Sequence, residues 1–586
     1  MLQNNNFKNG KFDIYFKYLS DYKKVAILAP LFMILEVIMD LLQPKLLSTI
    51  IDDGIVKNNL KLIINTGFFM FFIAIIGLIG GIGCTIFSSI ASQNFGHDLR
   101  KDIFKKIQNA KFKEITKFSP SSLITRLTND IAQSQQLVLI SLRMLVRAPL
   151  LCIGGIIMAF SINFKLSLII FIVMPLLLSI FYFISKKSFI LFTDMQKKID
   201  RLNLVIRENL AGIRVIKIFN RFAYEKKRFE KSNEDLMEAS LKAINLIIKM
   251  GPLVMIIVNL SVITVLWFGG KMVLTNEIKV GEIMAFINYL MIILMSLMMV
   301  SNLFIFISRA GASIERINEV LKIEGVKVYE KYSPLDMIKG KIEFKNVFFS
   351  YDDNSDYYFL KDISFKIEEG ETVGIIGTTG SGKTTILNLI AGLYEPISGE
   401  ILIDDVNIKN INPDNLKKNI GFVTQEIVIF SGTIREIMKW ASEETSDEEI
   451  IEALKIAQIY DFVSNLPEGL DTFIGQKGVN LSGGQKQRLT IARAIIKKPK
   501  ILILDDCTSS VDYITEKKIL KNLKEKLNNS TKIIVTPRIF TIAEADRILV
   551  IDKGEIVGEG RHTELLEKCE FYREIYETQI GEKING

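Results

Sequence analysis

Residues 481–512 read LSGGQKQRLTIARAIIKKPKILILDDCTSSVD. Ser482, Gly483 and Gly484 open a helical pattern that runs through Ile491 and Ile495 and must end before Pro499. The apolar run Ile501–Leu504 that follows has the length and unbroken hydrophobicity of a strand buried in a parallel sheet. It closes on two acids, Asp505 and Asp506, and carboxylates at the end of such a strand suit a magnesium ion on a nucleotide phosphate. About a hundred residues upstream, Gly377–Thr385 reads GTTGSGKTT, a complete phosphate-binding loop. The strand Val373–Ile376 leads into it and the helix Thr385–Leu393 leads out, which is the context this loop requires. Backbone N–H groups of Gly377, Thr378, Thr379, Gly380, Ser381 and Gly382, with the helix N-terminus, would cradle phosphates. Lys383 would lie on the β- and γ-phosphates and Thr384 would hold magnesium. Two motifs in this order imply a machine driven by nucleotide.

The 586 residues are 49% hydrophobic, and the apolar content is concentrated in residues 25–308, which points to a membrane. Six long apolar segments fall near Val25–Leu47, Ile63–Ser88, Leu137–Phe160, Leu166–Ser185, Ile244–Phe268 and Ile283–Ile307. Each can cross a hydrocarbon layer of about 30 Å as a helix. Loops one, three and five are short, while loops two and four are long, basic and helically periodic. The second carries Arg100, Lys101, Lys105, Lys106, Lys111, Lys113 and Lys117; the fourth carries Lys186, Lys187, Lys197, Lys198 and Arg201. Basic loops stay on the cytosolic side, so both termini are expected there. The net charge of +8 is therefore an orientation signal and does not imply nucleic acid. Cys84, Cys152, Cys507 and Cys569 have no paired or metal-like spacing and read as reduced. No cleavable signal peptide is expected.

Before the first segment, Phe12, Phe16 and Leu19 recur at helical spacing among lysines, as in a helix lying on the membrane surface. Within the segments, Glu36 and Asp40 are one turn apart, as are Arg143 and Arg147. Such groups pair with each other or face a water-filled cavity, where the acids could bind a cationic substrate. The sixth segment is rich in methionine, Met284 to Met299, with Phe304 and Phe306 following; this suits helix packing or contact with varied apolar partners. Ser119–Asp130 and Glu208–Asn220 interrupt the helical pattern of the long loops and are expected to dock on a soluble domain. After a charged stretch and a loop around Ser333–Pro334, a first strand, Ile342–Phe349, opens that soluble domain.

Over nearly its whole length the chain resembles a half-transporter of the ATP-binding cassette (ABC) exporters, type I, six-helix class. The resemblance rests on GTTGSGKTT, on LSGGQ at 481–485, on ILILDD at 501–506 and on TSSVD at 508–512. It implies a membrane all-α six-helix domain followed by a cytosolic α/β P-loop NTPase domain. Its expected parts are an interfacial helix at 1–24, the transmembrane domain at 25–320, a linker at 321–340 and the nucleotide-binding domain at 341–586. It also implies ATP and Mg2+ as cofactors. Tyr351 falls where the family stacks an aromatic ring on adenine. Gln425 falls where it senses magnesium, with Thr384 and Asp505 as the other magnesium residues; Thr385 closes the phosphate loop. Leu481, Ser482, Gly483, Gly484, Gln485 and Asp512 would serve the ATP site of a second subunit.

Three positions depart from the family. After Asp505 the family usually has a glutamate that orients the attacking water, and here stands Asp506. One methylene less withdraws the carboxylate by roughly 1.5 Å, and a misplacement of about 1 Å can cost on the order of a hundredfold in rate. Pro537 stands where a histidine contacts the γ-phosphate, and proline has no side-chain or backbone donor. Gln476 replaces a glutamate near the coupling segments. Asp506 and Pro537 weaken the site on this chain's own phosphate loop, whereas LSGGQ is intact. The chain therefore resembles the degenerate-site subunit of heterodimeric bacterial multidrug exporters. The expectation is export of small amphipathic molecules, drugs or lipid-like, across a plasma membrane, by a heterodimer whose partner carries the competent glutamate and histidine. The alternatives are a homodimer carrying another cargo (lipid, peptide or metal chelate) and a regulatory ATP-binding membrane subunit. An intact LSGGQ speaks against the last, because that loop has use only in a closing dimer.

Overall fold

The structure is a computed structural model and describes residues 13–323, 325, 338–352 and 358–580. Phe12, the Phe304 side chain, Ser333–Pro334 and most of the expected linker lie outside the described residues. The chain divides into two units, one of Met1–Gln108 with Phe118–Ile323, the other of Asn109–Lys117 with Glu324–Gly586.

The first unit is helical: α1 (Asp13–Ser20), α2 (Lys23–Thr49), α3 (Leu60–Gln108), then, past α4 (Phe112–Ile115), α5 (Pro120–Thr125) and α6 (Ile131–Ile162). It continues with α7 (Phe164–Ala211), α8 (Ile213–Ile218), α9 (Phe222–Ile248), α10 (Met250–Leu274) and α11 (Val280–Leu321). Among the described residues, six helical stretches are long and apolar enough to cross a membrane: Lys23–Ile55, Leu60–Gln108, Pro120–Ile162, Phe164–Ala211, Phe222–Leu274 and Val280–Val300. Each contains one expected apolar segment or most of it. α3, α7 and α9 run far past the apolar residues, as the periodic long loops imply. Exposed Phe68, Phe71 and Ile172 leave an apolar exterior, which suits lipid contact.

Close approach of α2 to α3 depends on glycine. A Cβ at Gly80 would stand 3.0 Å from both Phe32 O and Glu36 N, so any side chain there would force the helices apart. α1 packs on α3 through residues outside its expected apolar stripe. It buries Ile14, Tyr15 and Tyr18 and leaves Phe16 exposed. Tyr15 stacks on Phe95 of α3 with centroids 5.2 Å apart, and Tyr18 and Tyr22 donate to Asp102 and Asp98, each at 2.7 Å. The protein partner is polar-aromatic, so tyrosines win that face and Phe16 is left for the exterior.

Ser119 caps α5 by accepting from Ser122 N, with Pro120 at its first turn, so the predicted break is there. The segment beyond it belongs to the helical unit. Asp130, 1% exposed, accepts from Ser313 Oγ at 2.9 Å and from both arms of the Arg316 guanidinium. Arg126 donates to Arg316 O at 2.8 Å and to Glu319 at 2.6 Å. This network ties the start of α6 to the end of α11.

The second unit has a six-stranded sheet in the order Glu555–Gly560, Arg547–Asp552, Thr372–Gly377, Thr531–Val535, Ile501–Asp505, Ile420–Val423. All neighbours are parallel except the first pair. Alternate residues enter two cores: Leu502, Leu504 and Ile376 one, Ile501, Ile503 and Ile375 the other. Burial on both faces is why these strands are continuous apolar runs. A four-stranded antiparallel sheet begins with Ile342–Phe349, as expected, and completes the second core.

Replacing Arg316 by Met leaves the Asp130 carboxylate buried with one hydroxyl. We expect a loss of about 3 kcal/mol, read as a lowered thermal midpoint in detergent. Glu319→Gln, at a half-exposed carboxylate, should cost below about 1 kcal/mol and leave the midpoint nearly unmoved.

Candidate nucleotide site

Three parallel strands end side by side, and their ends carry the site. Thr372–Gly377 runs into the loop 378–382 and the helix Lys383–Ile390. Gly380 and Gly382 have φ of +81° and +107°, which L side chains rarely adopt, and this turns successive N–H groups to one side. Lys383 Nζ lies across the loop, donating to Gly377 O at 3.0 Å and Thr378 O at 2.6 Å. Burial holds its pKa below the usual lysine value, against the opposing pull of Asp505 and Asp506. Thr378 donates to Asp552 at 3.2 Å.

Asp505, 3% exposed, accepts from Thr384 Oγ1 at 3.1 Å. Burial raises its pKa, and the threonine hydrogen bond works the other way. A hydroxyl and a carboxylate side by side are hard oxygen donors, the pair a magnesium ion takes when phosphate and water supply its other ligands. Asp506 turns out of the strand with φ +46° while its N–H donates to Val535 O at 2.8 Å. Its Oδ2 is 3.5 Å from Gln425 Nε2. Burial raises the Asp506 pKa, and the charge of Arg538 and the Gln425 contact pull it back. Tyr351 is hydrogen-bonded to Thr385 at 2.8 Å and is hemmed by Phe349, Phe359 and Tyr394 at centroid distances of 4.9, 5.4 and 5.3 Å. Tyr351, the phosphate loop, Gln425, Asp505 and Asp506 thus form one site.

Pro537 follows the third strand. Its carbonyl accepts from Gln579 Nε2 at 2.6 Å, and Gln579 Oε1 accepts from Ile539 N at 2.9 Å. Arg538 donates to Ser509 O at 2.8 Å. Arg538 and Gln579 went unnoticed in the sequence; only the adjacency of Arg538 to Pro537 could have flagged the first.

Leu481–Gln485 opens the helix Gly483–Ile496. Ser482 and Gln485 form a reciprocal capping box, with Ser482 N donating to Gln485 Oε1 at 2.8 Å. No hydrogen bond among the described residues links this stretch to the phosphate loop. Asp512 caps the next helix by accepting from Thr515 N at 2.9 Å, which lowers its pKa. Gln487, also missed, is 3% exposed and joins the two stretches: its Nε2 donates to Ser509 Oγ at 2.9 Å and its Oε1 accepts from Ser510 N at 2.8 Å. Gln476 is exposed.

The expected docking stretches also find their places. Ser119–Asp130 belongs to the first unit and Asn109–Lys117 to the second. Within that unit Phe112 of α4 meets Tyr394 edge-on at 5.5 Å, and Lys111 pairs with Glu395 at 3.0 Å. In the other stretch, Ile213, Val215, Ile218 and Phe219 are exposed.

These features define a membrane-embedded transporter with an ATP-hydrolysing domain. Residues 26–297 match the model of the ABC transporter transmembrane region and residues 360–509 that of the ABC transporter domain. The uncharacterized ABC transporter ATP-binding protein YfiB of Bacillus subtilis is 40% identical over 96% of this chain and 98% of its own length. YknU of the same organism, with the same description, is 34% identical over 96% of each. A bacterial Atm1-family ABC exporter solved with ATP bound superposes with a TM-score of 0.77 at 24% identity, over 96% of this chain and 99% of that one. The chain belongs to the ABC transporter family. It is a multi-pass half-transporter that binds ATP and works as a dimer.

Gln487→Leu should release Ser509 and remove the acceptor of the Ser510 N–H. We expect about 0.5–1.5 kcal/mol of lost stability per hydrogen bond, measured as a lower thermal midpoint of the full chain.

Proposed function

We propose that this chain is the degenerate-site half of a heterodimeric exporter of small amphipathic molecules, drugs or lipid-like, in the cell membrane with both termini cytosolic. What supports the reading is that Asp506 and Pro537 both follow the ends of two paired strands, Ile501–Asp505 and Thr531–Val535, while LSGGQ keeps its capping box. In this reading the phosphates lie on 377–382 and Lys383, adenine on Tyr351, and Mg2+ on Thr384, Asp505 and Gln425. Asp506 is the carboxylate nearest the attacking water. Its backbone is fixed by the hydrogen bond to Val535, so it does not recover the missing methylene by sliding forward. Pro537 offers no donor, and the amide of Gln579 is occupied on both ends. ATP binds here and turns over slowly. Ser482 to Gln485 and Asp512 complete the partner's site, where a glutamate and a histidine carry hydrolysis.

Purified alone in detergent, the chain should bind ATP yet hydrolyse it at least a hundredfold below the ~10 s⁻¹ typical of enzymes. Asp506→Glu with Pro537→His should raise that rate. Hydrolysis at several turnovers per second, lost on Asp506→Ala, overturns the heterodimer reading.

A further inference from the structure

A cavity of about 580 Å³ lies in the helical unit between α2, α3 and α6, entirely within one chain. Four ionisable groups line it: Glu36, Asp40, Arg143 and Arg147. They are not two equal pairs. Arg147 is a fork that donates one arm to Glu36 and the other to Asp40, the latter at 3.0 Å. Each acid of that triad already holds an arm of Arg147. Arg143, one turn earlier on α6, makes no hydrogen bond or ion pair among the described residues. An arginine stays charged in a protein, and a guanidinium within a membrane span requires an acceptor. The rest of the lining includes apolar Met39, Leu78, Ile82 and Ile86 and the hydroxyl of Thr85.

We propose that this cavity binds amphiphiles with an anionic headgroup, a carboxylate or phosphate held by Arg143, with the apolar tail against α2 and α3. This names the substrate class of the export reading and rests on it for transport, though not for binding. The cationic substrate considered from sequence loses its acids to Arg147.

The test is binding of dodecyl phosphate to the full chain in nanodiscs of phosphatidylcholine, by calorimetry, beside dodecyltrimethylammonium. The phosphate should bind at least tenfold more tightly. Arg143→Gln should abolish that preference, and Arg143→Lys should keep part of it. Arg143 has no partner to orphan, so Arg143→Gln should fold with an unchanged thermal midpoint. A cation preference, an unchanged preference in Arg143→Gln, or collapse of that variant would each overturn the proposal. Adding phosphatidylglycerol separates two sources of the same chemistry: competition assigns the site to lipid, and its absence assigns it to a free solute. ATP-driven uptake is measured separately, in inverted vesicles that carry this chain together with its partner half-transporter. Binding without uptake would sink the export reading alone; uptake of cations without anion binding would sink this proposal alone.

Discussion

The strand Ile501–Asp505 has no exposed face, and the nucleotide site follows from that constraint. It is hydrogen-bonded between Thr531–Val535 and Ile420–Val423, so its apolar side chains alternate into two cores and charge is tolerable only at its end. Asp505, still buried, finds a donor in Thr384 on the neighbouring strand-end helix. Asp506 leaves the strand through a left-handed turn, a conformation that aspartate accepts more readily than most residues. The ends of the adjacent strands then supply the phosphate loop and the Pro537 turn. Ligands of open parallel sheets gather at the carboxyl ends of strands for this reason. On the proposed reading, the Asp506 carboxylate cannot move forward without disturbing the sheet, because the Asp506 N–H is bonded to Val535 O.

What was legible in the sequence is what is local. Continuous apolar runs became parallel strands, GTTGSGKTT became a strand–loop–helix, and six apolar segments became six spanning helices. The unread parts depend on partners distant in the chain. Gln579 reaches back to Pro537, and Gln487 ties two motifs through Ser509 and Ser510; neither has a periodicity or a spacing that announces it. α1 has a side that its apolar spacing does not announce. Phe16 stays exposed, while Asp98, Asp102 and Phe95 of α3 take the tyrosines, because a buried tyrosine needs both a ring partner and an acceptor. Asp130, too, has a partner distant in the chain, Arg316 of α11.

The membrane charges show how helix spacing fixes chemistry. From sequence, two acids and two bases at one-turn intervals suggest two ion pairs. In the fold, Gly80 brings the backbones of α2 and α3 together, and Gly81 leaves room for the Glu36 carboxylate, whose Oε2 would lie 3.2 Å from a Cβ there. Glu36 is thereby set where one guanidinium reaches both it and Asp40. One arginine satisfies two acids, and the second arginine remains for the cavity. A larger residue at Gly80 would push on the backbone of α2, and one at Gly81 would press on the Glu36 carboxylate itself.

The nucleotide site and the long loop after α3 are linked by aromatic rings. α4 begins at Phe112, whose ring meets Tyr394. Tyr394 in turn meets Tyr351 at 5.3 Å, and Tyr351 holds Thr385 of the phosphate loop through its hydroxyl. Each contact is edge-to-face, a geometry in which a ring cannot rotate without displacing its neighbour. A close-packed interior has no slack to absorb such a displacement. Phe112, Tyr394, Tyr351 and Thr385 therefore form a contiguous set of contacts within the second unit, from α4 to the phosphate loop.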